Sequence, residues 1–196
     1  HVSSQVISAP RSSLNPRQAE TVARILEATH ELLTKVGPDE LTIRMVAGQA
    51  GVSAATAYTY FASKFHLYAE LYWRHIQTHP IDEHALAEKS SPTARVQQVI
   101  SEFVEATEKS PALAAAANQA LLSSDPNVER LRLRIGAEFV ARIHQALGEQ
   151  ADEVVVDALA MAFSGALLQV GMQVMTYEEM VERLGKVIAV IMEGPK

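Results

Sequence analysis

Residues 41–64 read LTIRMVAGQAGVSAATAYTYFASK, and this stretch decides the fold. Thr42 can cap a short helix that runs to Gln49, because its hydroxyl can accept a hydrogen bond from a free amide of the first turn. Ser53 can cap a second short helix that ends near Tyr60 in the same way. A tight glycine-containing turn joins the two, so the stretch predicts a helix-turn-helix.

The small side chains of the second short helix are typical of a recognition helix, which presses its first turns against the major groove of DNA. The small side chains of Ala54 and Ala55 let this helix face approach DNA closely, and Ser53 and Thr56 offer hydroxyls to phosphates or base edges. Tyr58, Tyr60 and Lys64 are further candidates for phosphate contacts. The alternative for the two tyrosines is that they only pack within the helix-turn-helix domain.

Residues that start and stop helices recur along the rest of the chain and predict an all-α protein of about nine helices. Capping residues, first-turn prolines and helix-ending glycines mark most boundaries. The predicted loop lies at residues 80–91. The predicted helices cover residues 16–36, 43–49, 54–60 and 64–78, three more begin at Pro92, Pro111 and Pro126, and the last two cover residues 152–175 and begin after Thr176.

Hydrophobic periodicity predicts which helix faces are buried. The helix that begins at Pro92 carries apolar side chains at helical spacing, which indicates one buried face. The helix over residues 152–175 is apolar nearly all round, which predicts a place at the centre of the protein or at a subunit interface.

The charge distribution leaves room for selective contact with DNA in spite of a net charge of -6. Residues 1–79 carry seven Lys and Arg against six Asp and Glu, whereas the remaining 117 residues carry ten against seventeen. A neutral to basic head on an acidic body disfavours indiscriminate binding of nucleic acid.

Composition excludes several other classes of protein. The chain has no cysteine, so it has no disulfide, thiol nucleophile or thiolate metal site. The sequence has no uninterrupted apolar stretch of about 18 residues, which a membrane-spanning helix would need. Residues 1–16 lack the basic and apolar regions of a signal peptide, so we expect a cytoplasmic protein without membrane contact.

The residues of the opening stretch also match a known family. The motif residues are Leu41-Thr42-Ile43-Arg44, Val46-Ala47, Ala50-Gly51-Val52-Ser53, Thr56, Tyr58, Tyr60-Phe61 and Ser63-Lys64. With them, the run from about Arg24 to Leu71 closely resembles the DNA-binding head of the tetracycline-repressor (TetR) family of bacterial transcription regulators. The resemblance implies a homodimeric, ligand-responsive transcription factor, most often a repressor, that binds a palindromic operator in double-stranded DNA.

The resemblance also implies a division of the chain and a set of contacts. We expect a flexible arm at residues 1–15, a helix-turn-helix domain at 16–65, and a ligand-binding and dimerisation body at 66–196. The DNA contacts implied by the family are Thr42, Arg44, Ser53, Ala54, Ala55, Thr56, Tyr58, Thr59, Tyr60 and Lys64.

For the body, the resemblance implies a pocket for a small apolar or amphipathic ligand with little charge. The alternative is that the methionines and aromatic residues of the body form plain core. The candidate lining residues are Trp73, Phe103, Phe139, Met161, Phe163 and Met172, with Asn118, Gln119 and Gln169 as polar anchors.

Two helices of the body are candidates for the dimer interface. The last helix has an apolar stripe, and the helix before it has a face of small residues, with Gly165 and Gly185 allowing close approach. Two such helices from each subunit would form a four-helix bundle. The alternative is that both stripes face the subunit's own core. The candidate interface residues are Ala162, Gly165, Met180, Leu184, Val187, Ile188 and Ile191.

Two other functions stay open at this point. His75, His79 and His84 could hold a metal ion in a helical hydrolase, although Ile76 stands where the HExxH motif needs its glutamate. An architectural DNA-binding protein without an inducer is the second alternative. We expect neither: the chain is predicted to have no enzymatic activity, no metal and no cofactor.

Overall fold

The computed structural model describes residues 14–194, which form ten α-helices and no strand, and this confirms the predicted all-α class. A 3-10 turn, Gly148–Gln150, follows the eighth helix. Residues 1–13 of the predicted arm lie outside the described residues. The helices are α1 Pro16–Glu40, α2 Ile43–Gln49, α3 Ala54–Tyr60, α4 Lys64–Thr78, α5 Glu83–Ala87, α6 Pro92–Glu108, α7 Pro111–Leu122, α8 Pro126–Leu147, α9 Glu153–Gly171 and α10 Tyr177–Glu193.

Side-chain caps fix most helix starts, as predicted. Asn15 and Gln18 form a reciprocal capping box at α1. The Thr42 hydroxyl accepts from the Met45 amide at 3.2 Å, and α2 begins at Ile43. Each such bond satisfies an amide that has no partner within its own helix, so these local signals were readable from the sequence.

Two glycines with positive φ shape the head. Gly51 has φ 65° in the turn between α2 and α3, and Gly37 has φ 75° within α1. Both angles lie in the left-handed region, which costs glycine little. The predicted stop at Gly37 is thus present as a break in α1, after which Pro38–Glu40 adds a final turn.

The predicted loop at residues 80–91 is wrong, because it contains α5. The Asp82 side chain accepts from the Ala85 amide at 3.0 Å and caps this short helix. The Asp82 amide in turn donates to the Glu102 carboxylate of α6 at 3.1 Å. A five-residue helix needs this tertiary support, since isolated helices of that length are unstable.

The predicted helix over residues 152–175 is too long, because α9 ends at Gly171. Gln173 adopts φ 59°, and the Val174 amide donates back to the Gln169 carbonyl at 3.0 Å. This bond closes the end of the helix in the manner of a left-handed C-terminal cap. Met172 therefore lies in a turn.

The chain divides into two compact units. Unit 1 contains residues 14–75 and 111–132 of the described chain, and unit 2 contains residues 76–110 and 133–194. α7 belongs to unit 1 because it packs against α1. The units therefore differ from the predicted division at residue 65.

In unit 1, α1 packs on α2 and α7, and α2 packs on α3. The buried side chains of α1 follow helical spacing along one face. Thr29 is fully buried on that face, and its hydroxyl donates to the Ile25 carbonyl at 2.7 Å. Ala47 and Phe61 are buried within the helix-turn-helix, whereas Val52 is half-buried.

In unit 2, α10 packs on both α6 and α9. The predicted buried face of α6 is confirmed. Three phenylalanines from different helices lie together: Phe103 is 5.7 Å from Phe139 and 5.2 Å from Phe163 between ring centroids. Phe139 and Phe163 stack at 3.9 Å. These edge-to-face and stacked rings form an aromatic cluster in the core of this unit.

α9 does not lie at the centre of unit 2. Its buried residues are few, namely Val156, Leu159, Phe163 and Ala166. By length and composition alone α9 could cross a membrane, and only 22% of its most apolar 18-residue window is buried. The other prediction for this helix, a place at a subunit interface, therefore stays as a prediction.

His66 of α4 is buried below the recognition helix. Its ring packs edge-on against Phe61 at 5.7 Å, and its Nδ1 atom accepts from the Ala62 amide at 3.3 Å. Burial lowers the pKa of His66, and the nearby Asp125 carboxylate only partly offsets this effect. The folded head therefore favours the neutral imidazole.

This preference predicts that acid destabilises the head. The unfolded state binds a proton at His66 near the usual pKa of 6.5, whereas the folded state binds it only at lower pH. The stability due to neutral His66 is therefore present above pH 6.5 and falls as the pH drops below that value. The free energy of unfolding, measured with urea from above pH 6.5 to below it, should depend less on pH in His66→Gln than in the wild type.

His30→Gln is the matched control, because His30 lies exposed on α1. Its stability should follow that of the wild type at every pH. Equal pH dependence in His66→Gln and the wild type would contradict the assignment.

Candidate functional sites

The recognition helix α3 turns one face inward and the other to solvent. Ala57 is fully buried, whereas Ala55 and Thr59 are exposed and Tyr58 is 46% exposed. Ala54, Thr56 and Tyr60 are half-buried. These predicted contact residues thus all keep some exposure to solvent, and the small Ala55 side chain leaves room for close approach of a partner.

The hydroxyls of α3 already take part in local hydrogen bonds. The Ser53 hydroxyl accepts from the Thr56 amide at 3.0 Å and lies 2.8 Å from the Thr56 hydroxyl. Since that pair shares one proton, the second proton stays available to a phosphate. The Thr59 hydroxyl donates to the Ala55 carbonyl at 3.0 Å, so Thr59 has no proton left to give to a phosphate in this rotamer.

The start of α2 carries an exposed cation. Thr42 and Arg44 are both exposed, as the prediction requires. Thr42 acts as the N-cap of α2, so its side chain has a structural role as well as a possible contact. Arg44 brings a guanidinium to the same helix end, and guanidinium is suited to bidentate binding of phosphate.

Lys64 has a structural role that the sequence did not reveal. Its ammonium group donates to the carbonyls of Pro38 at 3.2 Å and Asp39 at 3.0 Å. An ammonium has three protons, so one remains for a phosphate. Because these partners lie 26 and 25 residues earlier in the chain, no local sequence signal could have identified them.

The predicted dimer stripe of α10 needs correction. Met180, Leu184 and Ile188 are at most 3% exposed, because α10 packs on both α6 and α9. Gly185 also faces inward, since its carbonyl accepts from the Gln97 side chain of α6 at 3.1 Å. These four residues serve the core of their own subunit, which was the alternative reading of the stripe.

A different apolar surface remains exposed on α9. Its side chains repeat at alternating steps of four and three residues, the spacing of a helix-packing seam. Val154 is 76% exposed and Met161 is 71% exposed. We name this surface the α9 seam, and it consists of Val154, Ala158, Met161, Gly165 and Leu168 of α9 with Met172 of the turn that follows.

Beside the seam lies a groove between α9 and α10 with a volume of about 410 Å³. Five of the predicted interface residues line it, namely Ala162, Gly165, Met180, Leu184 and Val187. Val187 is 43% exposed, and Ile191 is half-buried. Part of the predicted interface thus stays accessible in this groove.

Within unit 2, the structure does not bring all of the predicted pocket residues together. Phe103, Phe139 and Phe163 form the aromatic cluster of unit 2. Met161, Gln169 and Met172 lie exposed on the outer side of α9 and the following turn. The helix period explains this correction, since Met161 and Phe163 point to opposite sides of α9.

The remaining predicted pocket residues lie in unit 1. Trp73 is buried on α4, and Asn118 is half-buried on α7. Gln119 donates to the Asp39 carboxylate at 2.7 Å, so its amide ties α7 to the end of α1. Gln119 therefore has a structural role in unit 1, and its role as a ligand anchor stays a prediction.

The three histidines of the hydrolase alternative have separate surroundings. His75 stacks on Tyr72, with 6.3 Å between ring centroids. His84 lies 3.6 Å from the Glu88 carboxylate. Among residues 14–194, no group of three or more His, Asp or Glu side chains is placed to hold a metal ion.

Comparison with known proteins agrees with this architecture. The family model for "Bacterial regulatory proteins, tetR family" matches residues 25–71. An uncharacterised HTH-type transcriptional regulator of Mycobacterium tuberculosis is 40% identical over 185 residues, which cover 93% of this chain and 85% of the relative. The HTH-type transcriptional repressor KstR of Rhodococcus jostii is 33% identical over 109 residues, which cover 55% of this chain and 50% of KstR.

A solved structure shows the same fold. FadR of Thermus thermophilus, a TetR-family repressor in complex with lauroyl-CoA, aligns with a TM-score of 0.69 at 21% identity. The alignment covers 89% of this chain and 95% of FadR. Together with the helix-turn-helix geometry and the long match to the mycobacterial relative, this confirms the predicted family: the chain belongs to the tetR family of bacterial HTH-type transcriptional regulators.

Proposed function

We propose that this regulator is a homodimeric repressor that binds a palindromic operator in double-stranded DNA. A small apolar or amphipathic ligand releases it. The observation that carries the proposal is the exposed face of α3, where Ala55, Tyr58 and Thr59 point to solvent over the buried Ala57. The proposal includes no catalytic activity and no cofactor, and it places the protein in the cytoplasm with its DNA.

The repressor assignment is supported by the KstR relative, which carries that name. We assign DNA binding to residues 16–65, and ligand binding and dimerisation to residues 66–196. In a two-fold dimer, the two α3 helices would enter successive major grooves on one face of DNA, about 34 to 36 Å apart. A palindromic operator matches that symmetry.

Within the DNA surface, Ala54 and Ala55 permit close approach to the groove, and Ser53 or Thr56 keeps one free hydroxyl proton. Tyr58 and Tyr60 can donate phenolic protons to phosphates. Arg44 supplies the charge at the start of α2. Lys64 contributes its third proton at most, because the carbonyls of Pro38 and Asp39 hold the other two.

Arg44→Ala tests this surface. A duplex that the wild-type protein selects from a randomised library serves as the probe. Loss of one phosphate contact should weaken binding and reduce the salt dependence, log K against log salt concentration, by about 0.9. Fluorescence anisotropy at several salt concentrations measures both effects.

Arg134→Ala is the matched control, because Arg134 is also exposed but lies on α8 in unit 2. Its salt dependence should equal that of the wild type. If Arg44→Ala keeps the wild-type slope, Arg44 does not contact phosphate. Lys64→Ala is a poorer test, since it also removes two hydrogen bonds within the head.

The α9 seam supports the dimer. An apolar helix face of this length is expected to be buried against a partner, since an exposed contiguous apolar patch marks an interaction site. A second copy offers the same seam and groove, so a two-fold axis would pair them in an isologous interface. Gly165 has open space around it, which allows the facing backbone to approach. Packing of α9 and α10 from both subunits forms a four-helix bundle.

Met161→Glu should dissociate this dimer, because the substitution places a charge in a desolvated apolar contact. Sedimentation velocity should show a monomer at concentrations where the wild type is a dimer. Leu133→Glu is the matched control: Leu133 is 69% exposed, much as Met161 is, but lies on α8. A stable Met161→Glu dimer would exclude the seam as the interface.

For the ligand, we propose the aromatic cluster of unit 2 as the apolar part of the site. Phe103, Phe139 and Phe163 are at most 6% exposed, so a ligand must separate them to enter. The fold is compatible with an amphipathic ligand, since FadR of the same fold is described in complex with lauroyl-CoA.

One turn beyond Phe139, a buried arginine links α8 to the end of α4. Arg142 is 7% exposed, and its guanidinium donates to the Glu138 carboxylate and to the Ile76 carbonyl, both at 3.0 Å. Movement of α8 would therefore act on α4, whose first residue is Lys64. A differential affinity of about 1 to 3 kcal/mol gives a 5- to 150-fold change in DNA affinity.

Lauroyl-CoA and stearoyl-CoA are suitable probes, with coenzyme A lacking an acyl chain as the matched control. An acyl-CoA that enters the site should stabilise the protein against thermal unfolding, because it binds only the folded state, and should weaken binding of the selected duplex. By linkage, the duplex should weaken acyl-CoA binding by the same factor. An acyl-CoA that binds the protein but leaves DNA affinity unchanged would contradict the coupling.

A further inference from the structure

The N-termini of two helices distant in sequence are joined by one side-chain pair. Ser63 precedes α4, and Asp125 precedes α8, 62 residues later. The Ser63 hydroxyl donates to Oδ2 of Asp125 and accepts from the His66 amide at 3.0 Å. Ser63 is therefore both the N-cap of α4 and the partner of Asp125.

Asp125 uses its two carboxylate oxygens for different tasks. Its Oδ1 atom accepts from the Asn127 amide at 2.8 Å and from the Asn127 side chain at 2.9 Å, which caps α8. Its Oδ2 atom holds Ser63. Loss of the carboxylate would thus uncap α8 and release Ser63 at the same time.

The Asp125 carboxyl favours its ionised form although it is partly shielded from water. Partial burial raises the pKa of Asp125, but the hydrogen bonds from Ser63 and Asn127 together with nearby His66 outweigh burial and leave the pKa lowered. The Ser63 bond is therefore charge-assisted, and such bonds are about twice as strong as neutral ones.

Ser63 stands in the short connection that leaves the recognition helix. α3 ends at Tyr60, the Phe61 amide closes it on the Ala57 carbonyl at 2.9 Å, and α4 begins at Lys64. Only two residues separate Phe61 from α4. Holding Ser63 in place therefore fixes the path of the chain directly after α3.

A second tie of unit 1 acts at the other end of the helix-turn-helix. The Gln119 side chain of α7 holds the Asp39 carboxylate at 2.7 Å, just before α2 begins at Ile43. α7 and the residue before α8 thus form hydrogen bonds with the chain just before α2 and just after α3. This arrangement explains why residues 111–132 fall into the same compact unit as the head.

We propose that Asp125 is a positioning residue for operator binding, which holds Ser63 and thereby sets the orientation of α3 within unit 1. This inference rests on the proposed DNA-binding function. It makes the turn between α7 and α8 part of the DNA-binding machinery, although none of its residues belongs to the helix-turn-helix.

Asp125→Ala and Ser63→Ala test the inference against two matched controls. Asp152 caps α9 with Oδ1 at 2.8 Å from the Val154 amide, as Asp125 caps α8. Ser91 caps α6 at 3.1 Å from the Ala94 amide, as Ser63 caps α4. Asp152→Ala and Ser91→Ala therefore remove equivalent caps in unit 2.

For a duplex selected by the wild type, Asp125→Ala and Ser63→Ala should each lose about tenfold in affinity, as expected when a hydrogen bond to a charged group is lost. Asp152→Ala and Ser91→Ala should keep the wild-type affinity. The double variant should lose no more than either single one, because both break the same bond. Ser63→Thr, which keeps the hydroxyl, should retain binding.

Two further readouts separate positioning from loss of stability. Binding to a random duplex should fall much less than binding to the selected duplex, because phosphate contacts tolerate misorientation better than base contacts do. Urea unfolding should show that Asp125→Ala and Asp152→Ala both stay folded under the binding conditions, with the larger loss of stability in Asp125→Ala because it also releases Ser63. If Asp125→Ala does not fold, Asp125→Asn against Asp152→Asn decides the question, since the amide keeps the side-chain shape.

If the Asp125 variants bind the selected duplex as tightly as the Asp152 variants do, the inference is wrong but the proposed function stands. A wild-type protein that selects no duplex from the library would overturn the proposed function, and the inference with it.

Discussion

The carbonyl groups at the end of α1 are the acceptors on which the arrangement of unit 1 depends. The break at Gly37 leaves the Pro38 and Asp39 carbonyls without helical partners. Lys64 donates to both, and the Tyr68 hydroxyl donates to Pro38 at 2.8 Å. Since unpaired polar groups are costly in a protein interior, these bonds hold α4 against α1.

Tyr68 shows how strongly this junction depends on complete hydrogen bonding. It is fully buried, and burial raises the pKa of its phenol, with a smaller contribution from the Asp39 carboxylate. The phenol therefore keeps its proton and stays a donor to Pro38. Gln119 binds the Asp39 side chain, so α4 and α7 both meet α1 within the same two residues.

α9 and α10 illustrate how similar apolar patterns reach different environments. The stripe of Met180, Leu184 and Ile188 is buried because α10 has neighbours on two sides within its own subunit. The α9 seam has the same helical regularity, yet Val154 and Met161 are among the most exposed apolar residues of the described chain. Burial within one subunit and burial between subunits use the same kind of side chain, so only the packing distinguishes them.

The sequence by itself determined nine of the ten helices of the described chain, the helix-turn-helix and the family. Caps such as Thr42 and Ser53 act within three residues, and helical periodicity acts within one helix, so neither needs the rest of the fold. Only the tertiary structure decided which apolar stripe is core, that Gln119 ties α7 to α1, and that Asp125 holds Ser63. The physical reason is that each of these outcomes depends on a partner far away in the chain, and local residue patterns carry no information about such partners.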